Sequence, residues 1–213
     1  MELQNKYIVI EGNIGAGKTS LVNKIAEQFN GKQILEQFHD NPFLPKFYKE
    51  PDRYSFTLEL SFLAARYKQL NSEIQTTDLF KNFTIADYYF AKSLIFSRST
   101  LQDDEYALYR QLFNIIYKQL PLPSVYFYLH MNADRLLQNI KNRGRDYEQE
   151  ISAEYLLSIQ QSYFAFFKTI NDFPVVIIDC SNVDFVNNSS DYEKIVDKIL
   201  FSEYNNGINR VVL

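Results

Sequence analysis

The stretch Tyr7–Thr19 constrains this chain more than any other. A near-continuous apolar run, Tyr7–Glu11 (YIVIE), leads directly into Gly12-Asn13-Ile14-Gly15-Ala16-Gly17-Lys18-Thr19. Apolar residues then recur at helical spacing over Ser20–Phe29. Strand, glycine-rich turn and helix in that order are the context that a GxxxxGK[ST] phosphate loop requires. Its glycines let backbone N–H groups turn inward around phosphate oxygens, and a helix beginning near Lys18 adds the positive end of its dipole. Lys18 supplies a point charge for the β- and γ-phosphates, and the Thr19 hydroxyl suits Mg²⁺. Residues 12–19 are therefore expected to hold ATP or GTP.

The rest of the chain alternates strand and helix. Strands are expected at Gln33–Glu36, Phe83–Asp87 (FTIAD), Ser124–His130 (SVYFYLH) and Pro174–Asp179 (PVVIID). Helices are expected at Leu58–Leu70, Phe90–Leu101, Tyr106–Leu120, Ala133–Lys141, Ala153–Asn171 and Asp191–Phe201. Apolar strands interleaved with helices imply an α/β fold, here a five-stranded parallel sheet covered on both faces. No internal repeat or Gly/Ser linker divides residues 1–213, so one domain is expected. In such sheets ligands bind beyond the carboxyl ends of the strands, which directs attention to the residues just after Glu11, Glu36, Asp87, His130 and Asp179.

Composition narrows the function classes. Lys and Arg number 22 against 26 Asp and Glu, a net charge of −4, which argues against binding a nucleic-acid polymer over a broad face. A single cysteine, Cys180, excludes an intrachain disulfide framework and a cysteine-rich zinc site, and fits a reducing cytoplasm. The amino terminus reads as no signal peptide, and no apolar run reaches the ~20 residues of a membrane span. His39 and His130 lack metal-ligand spacing and are expected to be structural. The chain has 16 Tyr and 18 Phe, which are expected to fill a bulky core. The stripe over Tyr106–Tyr117 fits either that core or a subunit interface.

Among phosphate-loop proteins, GTPases need an Asn-Lys-x-Asp base-recognition sequence, which the chain lacks. A late basic segment, Lys141-Asn142-Arg143-Gly144-Arg145, fits a kinase lid instead, over about residues 140–152. Arg143 and Arg145 would neutralise charge on a transferred phosphoryl group.

These features resemble the deoxynucleoside kinase family from Ile10 to about Phe185. The run Glu11–Thr19 is similar to that family's first motif, and Asn41-Pro42-Phe43-Leu44 with Phe47–Phe56 is similar to its substrate-side segment. The resemblance implies a carboxylate near the sugar 5′-hydroxyl at Glu36 and a tyrosine at the 3′-hydroxyl at Tyr48. It implies base-reading side chains at Glu59 and Arg66, which are seven residues apart and so share one helix face. Arg143-Gly144-Arg145-Asp146-Tyr147-Glu148 is similar to the lid, with Glu148 also at the 3′-hydroxyl. Asp184-Phe185 matches the loop framing the ATP adenine. Family members are commonly dimeric, so a homodimer is implied too.

Two departures bear on mechanism. The family places Arg after its third-strand acid, whereas Asp87 is followed by Tyr88-Tyr89. Asp87 then serves Mg²⁺ or, in a shifted alignment, the base pocket; Lys92 and Arg98 are candidates for the missing charge. The base-reading position holds Glu59 where the family has Gln. An ionised Glu only accepts hydrogen bonds, which suits a donor-rich purine edge better than thymine. The expected reaction is transfer of the γ-phosphoryl of ATP, with Mg²⁺, to the 5′-hydroxyl of a purine deoxynucleoside. The alternatives are a nucleoside monophosphate kinase and a nucleotide-binding regulatory module.

Overall fold

The computed structural model describes residues 6–37, 41–73 and 78–213. Its centre is β1 (Tyr7–Gly12), whose side chains alternate between two buried layers. Ile8 and Ile10 enter one core, while Tyr7 and Val9 enter the other. That alternation with burial on both faces is what a central parallel strand demands.

From β1 the chain enters α1 (Lys18–Phe29), β2 (Lys32–Ile34), α2 (Leu44–Lys49) and α3 (Pro51–Glu73). It continues through β3 (Thr84–Ala86), α4 (Lys92–Thr100), α5 (Asp103–Tyr117) and β4 (Val125–His130). The last elements are α6 (Ala133–Arg143), a single 3₁₀ turn at Asp146–Glu148, α7 (Ala153–Phe167), β5 (Pro174–Asp179), α8 (Ser189–Leu200) and β6 (Gly207–Val212). All pairings are parallel, in the order β2-β3-β1-β4-β5-β6.

The sheet thus has six strands, not the five expected. The sixth lies at an edge, hydrogen-bonded to β5 from Pro174 opposite Gly207 to Asp179 opposite Val212. Polar Asn209 and Arg210 sit mid-strand, and no residue of β6 is fully buried. An edge strand covered on one side lacks the continuous apolar run that marks the buried strands.

Helices α1, α6 and α8 cover one face through Leu21, Val22, Ile25, Leu136, Ile140, Ile195 and Ile199. The other face carries α3, α4, α5 and α7, and it absorbs much of the aromatic content. Phe90 stacks on Phe113 at 5.1 Å, Phe113 on Tyr117 at 5.1 Å, and Tyr128 meets Tyr163 at 4.8 Å. Tyr109 and Phe113 of α5 are therefore core residues, while Leu108, Leu112 and Ile115 of the same helix are exposed. Cys180 is buried, and burial pushes its thiol up to about 12. Among the described residues no helix is long and apolar enough to cross a membrane.

Candidate active site

The turn after β1 takes its shape from close packing. Gly15 and Gly17 have φ of +84° and +78°. A Cβ on Gly15 would lie 2.8 Å from the Leu136 carbonyl oxygen. Gly17 also caps α1 without any side-chain hydrogen bond to the first turn, and that turn holds no acidic residue. The helix N–H groups are thus left open to an anion. Asn13 anchors the loop: its Nδ2 donates to the Leu156 carbonyl at 2.7 Å and its Oδ1 accepts from Ile14 N at 2.9 Å. Asn139 Nδ2 donates to the Gly15 carbonyl at 2.9 Å. Lys18 Nζ curls back onto the Gly12 and Asn13 carbonyls, both at 2.9 Å. Burial, and after it the neighbouring Lys92, lower the Lys18 ammonium to about 8 against the pull of Glu11, Glu36 and Asp87.

Asp87, just beyond β3, ties three segments together. Its Oδ2 accepts from the Thr19 hydroxyl at 2.5 Å, and its Oδ1 accepts from the Glu36 backbone N–H at 2.7 Å. The carboxylate therefore faces the phosphate side. Ser93, six residues on, is fully buried and accepts from Arg66 Nη1 at 2.8 Å. A hydroxyl beside a carboxylate is the sparse oxygen set that suits Mg²⁺, which keeps several waters and binds substrate phosphates. Among the described residues no group of three or more His, Cys, Asp or Glu side chains could form an all-protein metal cage. His39 lies outside the described residues, and His130 ends β4 beside Phe164.

Glu36 sits two residues past β2. Its Oε1 accepts from Arg66 Nε at 2.9 Å and Nη2 at 2.6 Å, and its Oε2 accepts from Lys92 Nζ at 2.5 Å. Burial alone would raise this carboxyl, but Lys92 and Arg66 outweigh it and hold it at about 2. Glu36 is accordingly ionised at any ordinary pH. Of the two candidates for the missing charge, Lys92 is the one in the site; Arg98 is exposed and pairs with Asp103. The Tyr88 side chain points elsewhere, its hydroxyl donating to Gln69 Oε1 at 2.9 Å. Arg66, expected to read the base, is engaged by Glu36 and Ser93.

Glu59 lies on the buried face of α3. It is 2% exposed, its Oε1 accepts from the Thr100 hydroxyl at 2.9 Å, and its Oε2 has no hydrogen-bond partner. Burial raises the carboxyl to about 7 despite Arg66 and Thr100. Because that value lies above an unfolded carboxyl near 4.5, the linked stability is complete below pH 4.5 and is lost as pH climbs to about 7. We expect about 3 kcal/mol of loss over that window. Glu59→Gln should remove it, so the variant's Tm advantage over the parent grows between pH 5 and 7 and then levels. Parallel Tm curves would contradict this.

The lid forms a cluster of its own. Arg143 at the end of α6 pairs with Glu148, and Arg145 Nη1 reaches the same carboxylate at 3.1 Å. Tyr48 of α2 stacks on Tyr147 at 5.9 Å, and its hydroxyl is pushed up by burial and by Glu148. Tyr48 and Glu148 are thus brought together as the resemblance implies. Asp184 accepts from Asn187, while Phe185 is 2% exposed with its ring under Gly17. Phe185 meets the phosphate loop from beneath.

Two connected spaces share this machinery. A cleft of about 1350 Å³ runs from the phosphate loop past Asp184 and Arg135. A chamber of about 120 Å³ lies behind it, lined by Tyr48, Glu59, Phe62, Phe96 and Tyr155. Lys18, Thr19, Glu36, Asp87, Arg143 and Arg145 border both.

Sequence reading missed the role of Glu11. Fully buried at the end of β1, it accepts from Tyr89 N at 3.0 Å and the Tyr163 hydroxyl at 2.9 Å. Burial raises this carboxyl. Glu11 thereby joins the start of the phosphate loop to the segment carrying Asp87. A carboxylate closing an otherwise apolar strand was its signal, since such burial is costly without partners.

A phosphate-loop cradle beside a cation-bound carboxylate, with a second space adjoining it, fits a phosphate-loop kinase. The chain belongs to the deoxynucleoside kinase family, whose sequence pattern matches residues 8–203, and its reaction is ATP-dependent phosphorylation of a deoxynucleoside. It is 36% identical to a deoxyguanosine kinase of Bacillus subtilis (strain 168) over 196 residues, covering 89% of this chain and 93% of that protein. It is 32% identical to a deoxyadenosine kinase of Dictyostelium discoideum, covering 84% and 74%. A deoxyadenosine kinase from M. mycoides with bound dATP superposes with a TM-score of 0.77 at 26% identity, covering 90% of this chain and 97% of that one.

Proposed function

We propose that the acceptors are purine deoxynucleosides, deoxyguanosine foremost, and that the chain works as a single-domain protomer of a homodimer with MgATP as donor. The observation that carries the base preference is the unpartnered Oε2 of Glu59, a buried acceptor lining the nucleoside chamber. Ionised Glu59 takes both donors of guanine, the N1–H and the 2-amino group. Neutral Glu59 offers a donor and an acceptor, the complement of adenine. Thymine, one N–H between two carbonyls, fits neither well. The similarity to deoxyguanosine and deoxyadenosine kinases supports the same reading.

Each residue's role follows from its place. Residues 12–19 cradle the triphosphate, and Lys18 moves from the Gly12 and Asn13 carbonyls to the phosphates. Thr19 and Asp87 would hold Mg²⁺, which would supply positive charge to neutralise the phosphates. Tyr48 and Glu148 hold the 3′-hydroxyl. Glu36 aligns the 5′-hydroxyl and takes its proton late, as the new P–O bond forms. Arg143 and Arg145 release Glu148 in part and close over the transferring group. Asp184 and Phe185 border the adenine side of the cleft. The exposed Leu108, Leu112 and Ile115 of α5 supply an apolar face for the dimer.

The test is initial-rate phosphorylation of the four deoxynucleosides and of deoxyguanosine monophosphate, at pH 6 and pH 8. Deoxyguanosine should lead, thymidine should trail by ~10²-fold or more, and the guanine-to-adenine ratio should rise with pH. A pH-independent ratio, or a preference for thymidine, would remove Glu59 as base reader. Turnover confined to the monophosphate would overturn the acceptor assignment.

A further inference from the structure

Glu36 carries one negative charge yet receives two full cations. Arg66 is a fixed fork: 4% exposed, doubly bonded to Oε1 and tied to Ser93. Lys92 differs. It is the first residue of α4, its polar contact is Glu36 Oε2 at 2.5 Å, and its ammonium lies 5.4 Å from the Phe96 ring centre. A compact ammonium on a four-carbon stem can change partners where a bidentate guanidinium cannot. Lys92 borders the same chamber as Lys18, Thr19, Asp87 and the lid arginines. Lys92 disfavours the charge of Lys18, and Lys18 is folded back on the Gly12 and Asn13 carbonyls. Two ammonium groups, Lys18 and Lys92, thus border one chamber from opposite partners, the loop carbonyls and Glu36.

We infer that Lys92 is a catalytic cation that shuttles, leaving its contact with Glu36 and moving onto the γ-phosphoryl group once ATP and deoxynucleoside are both bound. This rests on the reading of Glu36 as the carboxylate that faces the alcohol. In the transfer step the bond from the γ-phosphorus to the β–γ bridging oxygen breaks, and its electron pair leaves with ADP. The O5′ lone pair forms the new bond to phosphorus, and the O5′ proton passes to Glu36. The departure of Lys92 serves both ends of this step. It removes a cation that keeps Glu36 weakly basic, and it delivers positive charge to the equatorial oxygens where negative charge collects. The start of α4 thus sets a lysine, five residues past Asp87, against Glu36.

Lys92→Met and Lys92→Arg test this by calorimetry with MgADP alone, deoxyguanosine alone, and MgADP with aluminium fluoride and deoxyguanosine together. Lys92→Met should bind MgADP and deoxyguanosine within about threefold of the parent, but the aluminium fluoride complex about 100-fold more weakly, with a matching fall in kcat at nearly constant KM for ATP. Lys92→Arg, which keeps charge and bulk, should recover part of both. The inference is overturned if Lys92→Met assembles the fluoride complex as tightly as the parent. It is equally overturned if deoxyguanosine binding alone falls by the full factor, which marks a purely structural role. Should Lys92→Met not fold, a Lys92→Arg variant as weak as a site without charge also overturns it. Parent protein that phosphorylates no deoxynucleoside would instead remove the reading of Glu36 itself.

Discussion

Glu36→Gln lowers kcat by about 10³–10⁴-fold, because one side chain supplies both alignment and proton acceptance. Glutamine keeps the shape and one acceptor oxygen, so the deoxynucleoside still enters. It cannot take the 5′-hydroxyl proton, and it no longer offsets Arg66 and Lys92. The second consequence is structural. Both cations then sit nearly buried without a counter-charge, a loss of about 3–5 kcal/mol. In the parent the depressed carboxyl contributes stability that is fully present above pH 4.5 and fades as pH falls to about 2. Glu36→Gln should lack that acid sensitivity. Steady-state kinetics below the variant's Tm, with circular dichroism on the same sample, separates the two effects. A folded Glu36→Gln protein with near-parental kcat would remove Glu36 from the chemistry.

Lys18→Met produces the opposite pairing of effects. Its kcat falls by about 10³-fold, the scale for removing one preorganised charge at a transferring group. Its Tm holds or rises. Lys18 is an ammonium that burial and Lys92 both disfavour, held by two carbonyls. Methionine removes that burden and fills similar space. Calorimetry should show MgADP binding weakened far less than kcat. A variant that loses stability in step with activity would mean that Lys18 is a structural strut of the loop.

The parts of the site legible in the sequence were those carried by local pattern. The strand–glycine–helix unit around Lys18 needs only neighbours in the chain. Asp87 at the end of FTIAD was placed by strand-end logic, and the basic run at Arg143 by its charge and its likeness to a kinase lid. Pairings across the fold were not legible. Arg66 shares a helix face with Glu59, yet only the folded chain shows that it turns to Glu36 across 30 residues. The same helix explains a boundary error. α3 begins at Pro51, seven residues before the expected Leu58, and its buried face includes Ser55, Glu59 and Arg66. Polar residues on the inward face erase the apolar periodicity that would have announced the helix. The functional residues thus hid the element that carries them. β6 stayed hidden for the converse reason, since an edge strand with Asn209 and Arg210 at its middle has little apolar signal.

The central claim is that Glu36 presents a deoxynucleoside 5′-hydroxyl to the γ-phosphoryl of ATP. Phosphorus NMR of the product from deoxyguanosine and ATP tests it most directly, with 2′,5′-dideoxyguanosine run alongside. The account predicts one phosphomonoester resonance coupled to the two C5′ protons, appearing in step with ADP, and no transfer to the 5′-deoxy compound. A resonance coupled to the C3′ proton, transfer to the 5′-deoxy compound, or free phosphate in place of any ester would contradict it.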